Sequence, residues 1–238
     1  GAQTIVWDGE ERTPTQVLLA LNSPDRARRE AAWRAVQARF LADREAINAQ
    51  WVAHLVKRRQ VAANAGYPDY RAYRWQELLR FDYTPEDCAA FHAAIEAVVA
   101  PAARRLYERR RKRLGLDALR PWDLQVDTTG RPALRPFSTA EELMDGGSRI
   151  LHGVDPALGG YFDLMRAEHL LDLDNRKGKA PGGYCTYFAQ ARRPYIFMNA
   201  VGQHTDIQTL LHEGEVGAEK SSGACIEATA HRRARLPG

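Results

Sequence analysis

Helix start signals followed by an apolar rhythm near 3.6 residues recur along most of this chain, which restricts it to a mainly helical fold. Ser23-Pro24-Asp25 offers an N-cap hydroxyl, a proline for the first helical position and an acid in the first turn. Ala32, Trp33, Val36, Phe40, Leu41, Ile47, Trp51, Leu55 and Val56 then recur at helical spacing. One helix is therefore predicted to about Ala63, closed by Asn64-Ala65-Gly66. A shorter helix is predicted from about Asp69 to Leu79. Thr84-Pro85-Glu86-Asp87 opens a long one through Phe91, Ile95, Val98, Val99, Leu106 and Leu114 to Gly115. Pro101 lies inside that pattern and should bend or split it, because it has no N–H to donate. Ser138 with Glu141 fits a capping box for a helix to about Leu151, and another is predicted from Pro156 to about His169. Tryptophans and tyrosines at helical spacing are expected in the core.

The texture changes near Asn175, where residues 175–183 form a polar, glycine-rich stretch. It lacks the Gly-Lys-Ser/Thr ending of a phosphate loop and reads as a plain turn. Tyr184 to Phe188 and Tyr195 to Met198 are aromatic and β-preferring, which predicts a small hairpin with a long turn. A further helix is predicted from about Asp206, with Ile207, Leu210 and Leu211 on one face. From Gly214 onward the rhythm fades, and a disordered tail is expected over 214–238, after a helical portion over 1–213.

Composition narrows the function classes. A hydrophobic fraction of 45% is enough for a core, and a net charge of +4 is too small a surplus to point to nucleic acid. The local excess sits at residues 104–113, where seven basic side chains surround Glu108; a solvated helix end is the plain reading. Cys88, Cys185 and Cys225 are widely separated and odd in number, so a reducing cytoplasm is expected rather than a disulfide framework. No apolar run approaches the roughly 20 residues that cross a bilayer, so no membrane partner is expected.

The chemistry-bearing residues are His212 and Glu213, one turn or more into the last predicted helix. His-Glu-x-x-His on a helix puts two imidazoles on one face to share zinc, with the glutamate beside the metal-bound water. Here the residue four after His212 is Val216, which has no lone pair. Glu215 lies near that face and offers one carboxylate; His204 and His231 are further candidates without supporting spacing. Alone, a His-Glu pair is a weak signal.

A longer ordered match strengthens it. Residues 171–185 (Leu171-Asp172-Leu173-Asp174 through Gly183-Tyr184-Cys185), Pro194 to Gly202 and Thr209-Leu210-Leu211-His212-Glu213 resemble the stretch leading into the active site of oligoendopeptidase F, in the thimet-oligopeptidase family. Asp69 to Trp75, Arg109 to Leu114 and Leu119 to Leu124 continue the resemblance, which covers roughly residues 10 to 213. The resemblance implies a mainly α zincin-type metallopeptidase fragment with a small β-hairpin before the active-site helix. It also implies a Zn2+ cofactor and short peptide substrates. It makes His212 the first zinc ligand and Glu213 the general base; the second histidine is missing, and later ligands fall beyond residue 238.

Loss of resemblance and rhythm at one point suggests that 214–238 is out-of-frame or otherwise aberrant sequence, with genuine divergence as the alternative. The expectation is a zinc endopeptidase portion that is inactive as given. A non-catalytic peptide-binding module is the runner-up. The hairpin is open to two readings, an edge along which peptide lies or a structural cover for the helix of His212.

Overall fold

The computed structural model describes residues 3–221, and side chains to Gly214. It divides into two compact units. Among the described residues, the first comprises 3–36, 125–127 and 131–221; the second comprises 37–124 and 128–130.

In the first unit, strands β1 (Ile5–Trp7) and β2 (Glu10–Arg12) pair antiparallel, and α1 (Pro14–Leu18) follows. Thr13 caps α1 in a reciprocal box with Gln16, and Pro14 takes a position whose N–H needs no partner. Helix α2 (Arg26–Leu41) begins two residues later than Ser23 suggests. Asp25 accepts from the Ala27 N–H at 2.9 Å, so the acid, not the serine, covers the exposed donors. The buried Arg29 reaches back to the carbonyls of Ser23 and Pro24, both at 3.0 Å.

The remainder of this unit holds α7 (Ala140–Val154), α8 (Pro156–Ala167), β3 (Leu171–Asp174), β4 (Tyr184–Phe188), β5 (Arg193–Ala200) and α9 (His204–Ser221). The α7 cap sits one residue after its predicted place. Thr139 accepts from Glu142 N at 3.2 Å, and the Glu142 carboxylate accepts from Ser138 N at 2.6 Å. The predicted hairpin forms between β4 and β5, with Cys185 opposite Ile196. β3 was not foreseen as a strand. It pairs parallel to β5, giving the order β3-β5-β4. One core joins these layers: Leu143, Leu151, Phe162, Met165, Leu173, Ile196, Met198 and Leu210 are all buried.

In the second unit, the single long helix expected to Ala63 is two helices. The chain leaves α2 at Ala42 and re-enters as α3 (Arg44–Asn64) after Asp43, which accepts from Arg39 at 2.7 Å. Helix α4 (Tyr70–Glu77) is capped by Asp69, which accepts from Ala72 N at 2.8 Å. Helix α5 (Pro85–Ala94) opens with the Thr84/Asp87 box. A π turn over Ile95–Val99 leads into α6 (Ala100–Arg113), with Pro101 in its first turn. The wide turn therefore lies directly ahead of the proline, so the helical path neither splits nor stops there.

The core placement expected for tryptophans and tyrosines at helical spacing is not observed on α3. Trp51 is 53% exposed, and Ile47, Val52 and Val56 are likewise exposed. Helical spacing says which residues share a face, whereas burial needs an element against that face. Among the described residues, no helix is long and apolar enough to cross a membrane. The tail expected over 214–238 lies, beyond Ser221, outside the described residues; up to Ser221 the backbone continues as α9.

Candidate active site

Helix α9 is fixed at its start by Asp206, whose carboxylate accepts from the N–H groups of Val201 and Gln203, both at 2.8 Å. That clamp turns the chain from β5 into the helix through Gly202 at φ +89°, where a Cβ would stand 3.1 Å from the Phe137 carbonyl. Ile207, Leu210, Leu211 and Gly214 form the inward face at i, i+3, i+4 and i+7. Leu210 is fully buried against Gly147 of α7, where an added Cβ would meet its Cδ2 at 3.0 Å. Gly214 lies against Leu151 and Phe162.

His212 and Glu213 project from the rest of the helix: His212 is exposed and Glu213 half-buried. Thr209, one turn earlier, lies beside the strand that begins β4; a Cβ at Gly183 would come within 3.3 Å of its Cγ2. The glycine thus lets the strand approach the helix closely. β4 is the outer strand of the sheet, and its far edge pairs with no other strand among the described residues. Tyr184 opens it, half-exposed and stacked on Phe197 with ring centroids 5.0 Å apart.

The stretch before β4 is more than a plain turn. Lys179 is buried, with its side chain 1% exposed, and its ammonium donates to the Asp172 carboxylate (2.9 Å), the Asp172 carbonyl (2.9 Å) and the Asp174 carbonyl (2.8 Å). It also lies 4.5 Å from the Phe197 ring centre. All its donors are used, which is what a buried cation requires. Arg176 grips the same carboxylate at 2.6 and 2.8 Å. The Arg176 guanidinium, aided by Lys179 and opposed by burial, holds the Asp172 carboxyl down at about 2. Burial lowers the Lys179 ammonium against the pull of Asp172.

A second anchor runs from Thr13, whose hydroxyl donates to Asn175 Oδ1 at 2.7 Å, through Asn175 to Asn199 at 3.1 Å. Asn199 then donates to the carbonyls of Ala180 and Gly182 at 2.8 and 2.9 Å. Sequence reasoning missed Lys179, Asp172 and Asn199 as site-builders. The available signal was a cluster of polar residues in a glycine-rich stretch directly ahead of a strand.

Among the described residues no group of three His, Cys, Asp or Glu side chains stands where it holds an ion. His204 opens α9 outside the i, i+4 relation to His212, while the side chain of Glu215, and His231 altogether, lie outside what is described. Val216 occupies the place of the second imidazole. The described residues by themselves do not make a three-ligand catalytic zinc site.

A mainly helical body with a small hairpin ahead of the helix that bears His212-Glu213 is the architecture expected of a metallopeptidase portion. The comparisons agree: the model of peptidase family M3 matches residues 19–155. A protein assigned as oligoendopeptidase F superimposes with a TM-score of 0.85 at 30% identity, over 92% of this chain and 38% of that one. PZ peptidase A, solved with an inhibitor, gives 0.85 at 32% identity over 92% and 39%. A protein assigned as oligoendopeptidase F from Bacillus anthracis str. Ames gives 0.84 at 27% over 92% and 40%. No curated protein matches. The chain belongs to peptidase family M3 and is an oligoendopeptidase F-like portion of it, spanning about two fifths of the length of these structures.

Proposed function

We propose that this chain is the part of a zinc-dependent oligoendopeptidase acting on short peptides that carries the first metal-ligand histidine, His212, and the general base, Glu213, and that it does not hold the metal by itself. The observation that carries the reading is the place of His212-Glu213 on α9, the helix packed against β5 and β4, in a chain belonging to a peptidase family. The inward face of α9 fixes the helix, Asp206 fixes its entry, and Lys179 with Asn199 holds the backbone that leads into β4. A peptide adding to that edge would have its main chain paired by β4, the mode by which sheet edges take extended ligands. We take residues 1–213 as the family portion and 214–238 as aberrant sequence. We also place the protein in the cytoplasm, on the strength of Cys88 and Cys185, neither of which is in a disulfide.

Zinc stoichiometry of the purified chain, together with turnover of a quenched fluorescent peptide, tests the reading. Substoichiometric zinc and no chelator-sensitive turnover are expected. Tight one-to-one zinc with turnover would refute it. The edge of β4, which pairs with no other strand among the described residues, also supports a second reading, a non-catalytic peptide-binding module. Peptide affinity unchanged by chelator would select that one.

A further inference from the structure

The second unit carries a concentration of charge that its own structure does not neutralise. Of the basic side chains in residues 104–113, Arg111 donates to Glu108 at 2.8 and 2.7 Å, and Lys112 stands 3.8 Å from the same carboxylate. Arg110 donates to the Asp123 carbonyl at 2.8 Å. Arg104, Arg105, Arg109 and Arg113 have no hydrogen-bond or ion-pair partner among the described residues. The helix dipole explains only part of this. The last turn of α6 holds Arg110 to Arg113, whereas Arg104, Arg105 and Arg109 lie upstream of it. Arg105, Arg109 and Arg113 succeed one another at i, i+4 and i+8, a row about 12 Å long in which like charges repel.

The row borders a groove. Two clefts of about 750 and 390 Å3 meet at Leu106 and Arg109. Ala102 and Arg105 line one; Tyr107, Arg113 and Leu124 line the other. Leu106 and Leu124 are 56% and 42% exposed, so the groove has an aliphatic floor open to solvent beside its cations. We propose that this face of α6 docks an acidic amphipathic helix of a partner protein, with carboxylates on Arg105, Arg109 and Arg113 and apolar side chains on Leu106 and Leu124. Charge complementarity sets the sign of the partner, and the leucines set its amphipathic character. A single-stranded nucleic acid fits less well, because it needs aromatic platforms for its bases and Tyr107 is the one aromatic side chain lining either cleft. The inference is independent of the peptidase reading.

The test uses the whole chain and a fluorescein-labelled three-heptad peptide with leucine at the a and d positions and glutamate elsewhere. Anisotropy should report saturable binding that weakens with salt. The triple variant R105E/R109E/R113E should lose on the order of 30-fold in affinity. Leu106→Ser should lose roughly five-fold while keeping the same salt dependence. Unchanged far-UV circular dichroism verifies that the variants fold. Several results would overturn the proposal: binding indifferent to charge reversal, equal affinity for the lysine-for-glutamate peptide, or tighter binding of a single-stranded oligonucleotide of equal charge. Self-association of the chain that the triple variant abolishes would also overturn it, by making a second copy the occupant.

Discussion

Lys179→Met isolates the buried lock ahead of β4. Methionine keeps most of the aliphatic stem and its contact with Phe197, but removes all three hydrogen bonds of the ammonium. Charge-assisted bonds of this kind each contribute about 1.5–3 kcal/mol, against a desolvation cost of several kcal/mol for the buried cation. Removing one partner of a buried pair usually costs about 3–5 kcal/mol, because the other charge is stranded. Here Asp172 keeps its two-pronged contact with Arg176, so that part of the loss is smaller. The carbonyls of Asp172 and Asp174 still lose a donor in a site where the lysine side chain is 1% exposed. The expected destabilisation is therefore about 2–4 kcal/mol. Urea unfolding at neutral pH measures it. Native-state hydrogen exchange at Ile196, whose N–H donates to the Leu170 carbonyl at 3.0 Å, shows whether the loss is felt in the sheet. A loss below about 1 kcal/mol would refute the reasoning and leave the loop held by Asn199 and its glycines.

The same carboxylate gives a pH prediction. Asp172 is depressed to about 2 from an ordinary 3.8, so its contribution is complete above about pH 4 and disappears as pH falls toward 2. Urea unfolding between pH 6 and pH 2 should show wild type losing about 2 kcal/mol more than Asp172→Asn over that window, and parallel curves would contradict the pairing. Gly159→Ala places a Cβ 2.2 Å from the His152 ring, which must swing away from Asp163, now 2.7 Å distant. A cost of about 1 kcal/mol in wild type that vanishes in a His152→Ala background is expected from a double-mutant cycle on urea unfolding. Val216→His restores the i, i+4 pair on the α9 backbone and should tighten zinc binding by on the order of 100-fold, measured by competition with a chromogenic chelator; no gain would mean that α9 does not present the two positions together.

Much of the helical scaffold was legible in local signals. Asp69, the Thr84/Asp87 pair, Pro156 and the β4–β5 hairpin all act where their types predict, because a cap or a turn is satisfied by neighbours a few residues away. The inward face of Ile207, Leu210 and Leu211 was legible as well, from helical spacing. The break between α2 and α3 was not, since the apolar spacing runs through Asp43 without interruption.

By itself, then, the sequence determined most of the helices, the β4–β5 hairpin and the residue that stands where a second imidazole would be. Tertiary structure alone decided the parallel pairing of β3 with β5, the burial of Lys179 and the exposure of Trp51. Spacing along a chain orders side chains on their own element, but pairing, burial and exposure depend on which distant segment arrives against them.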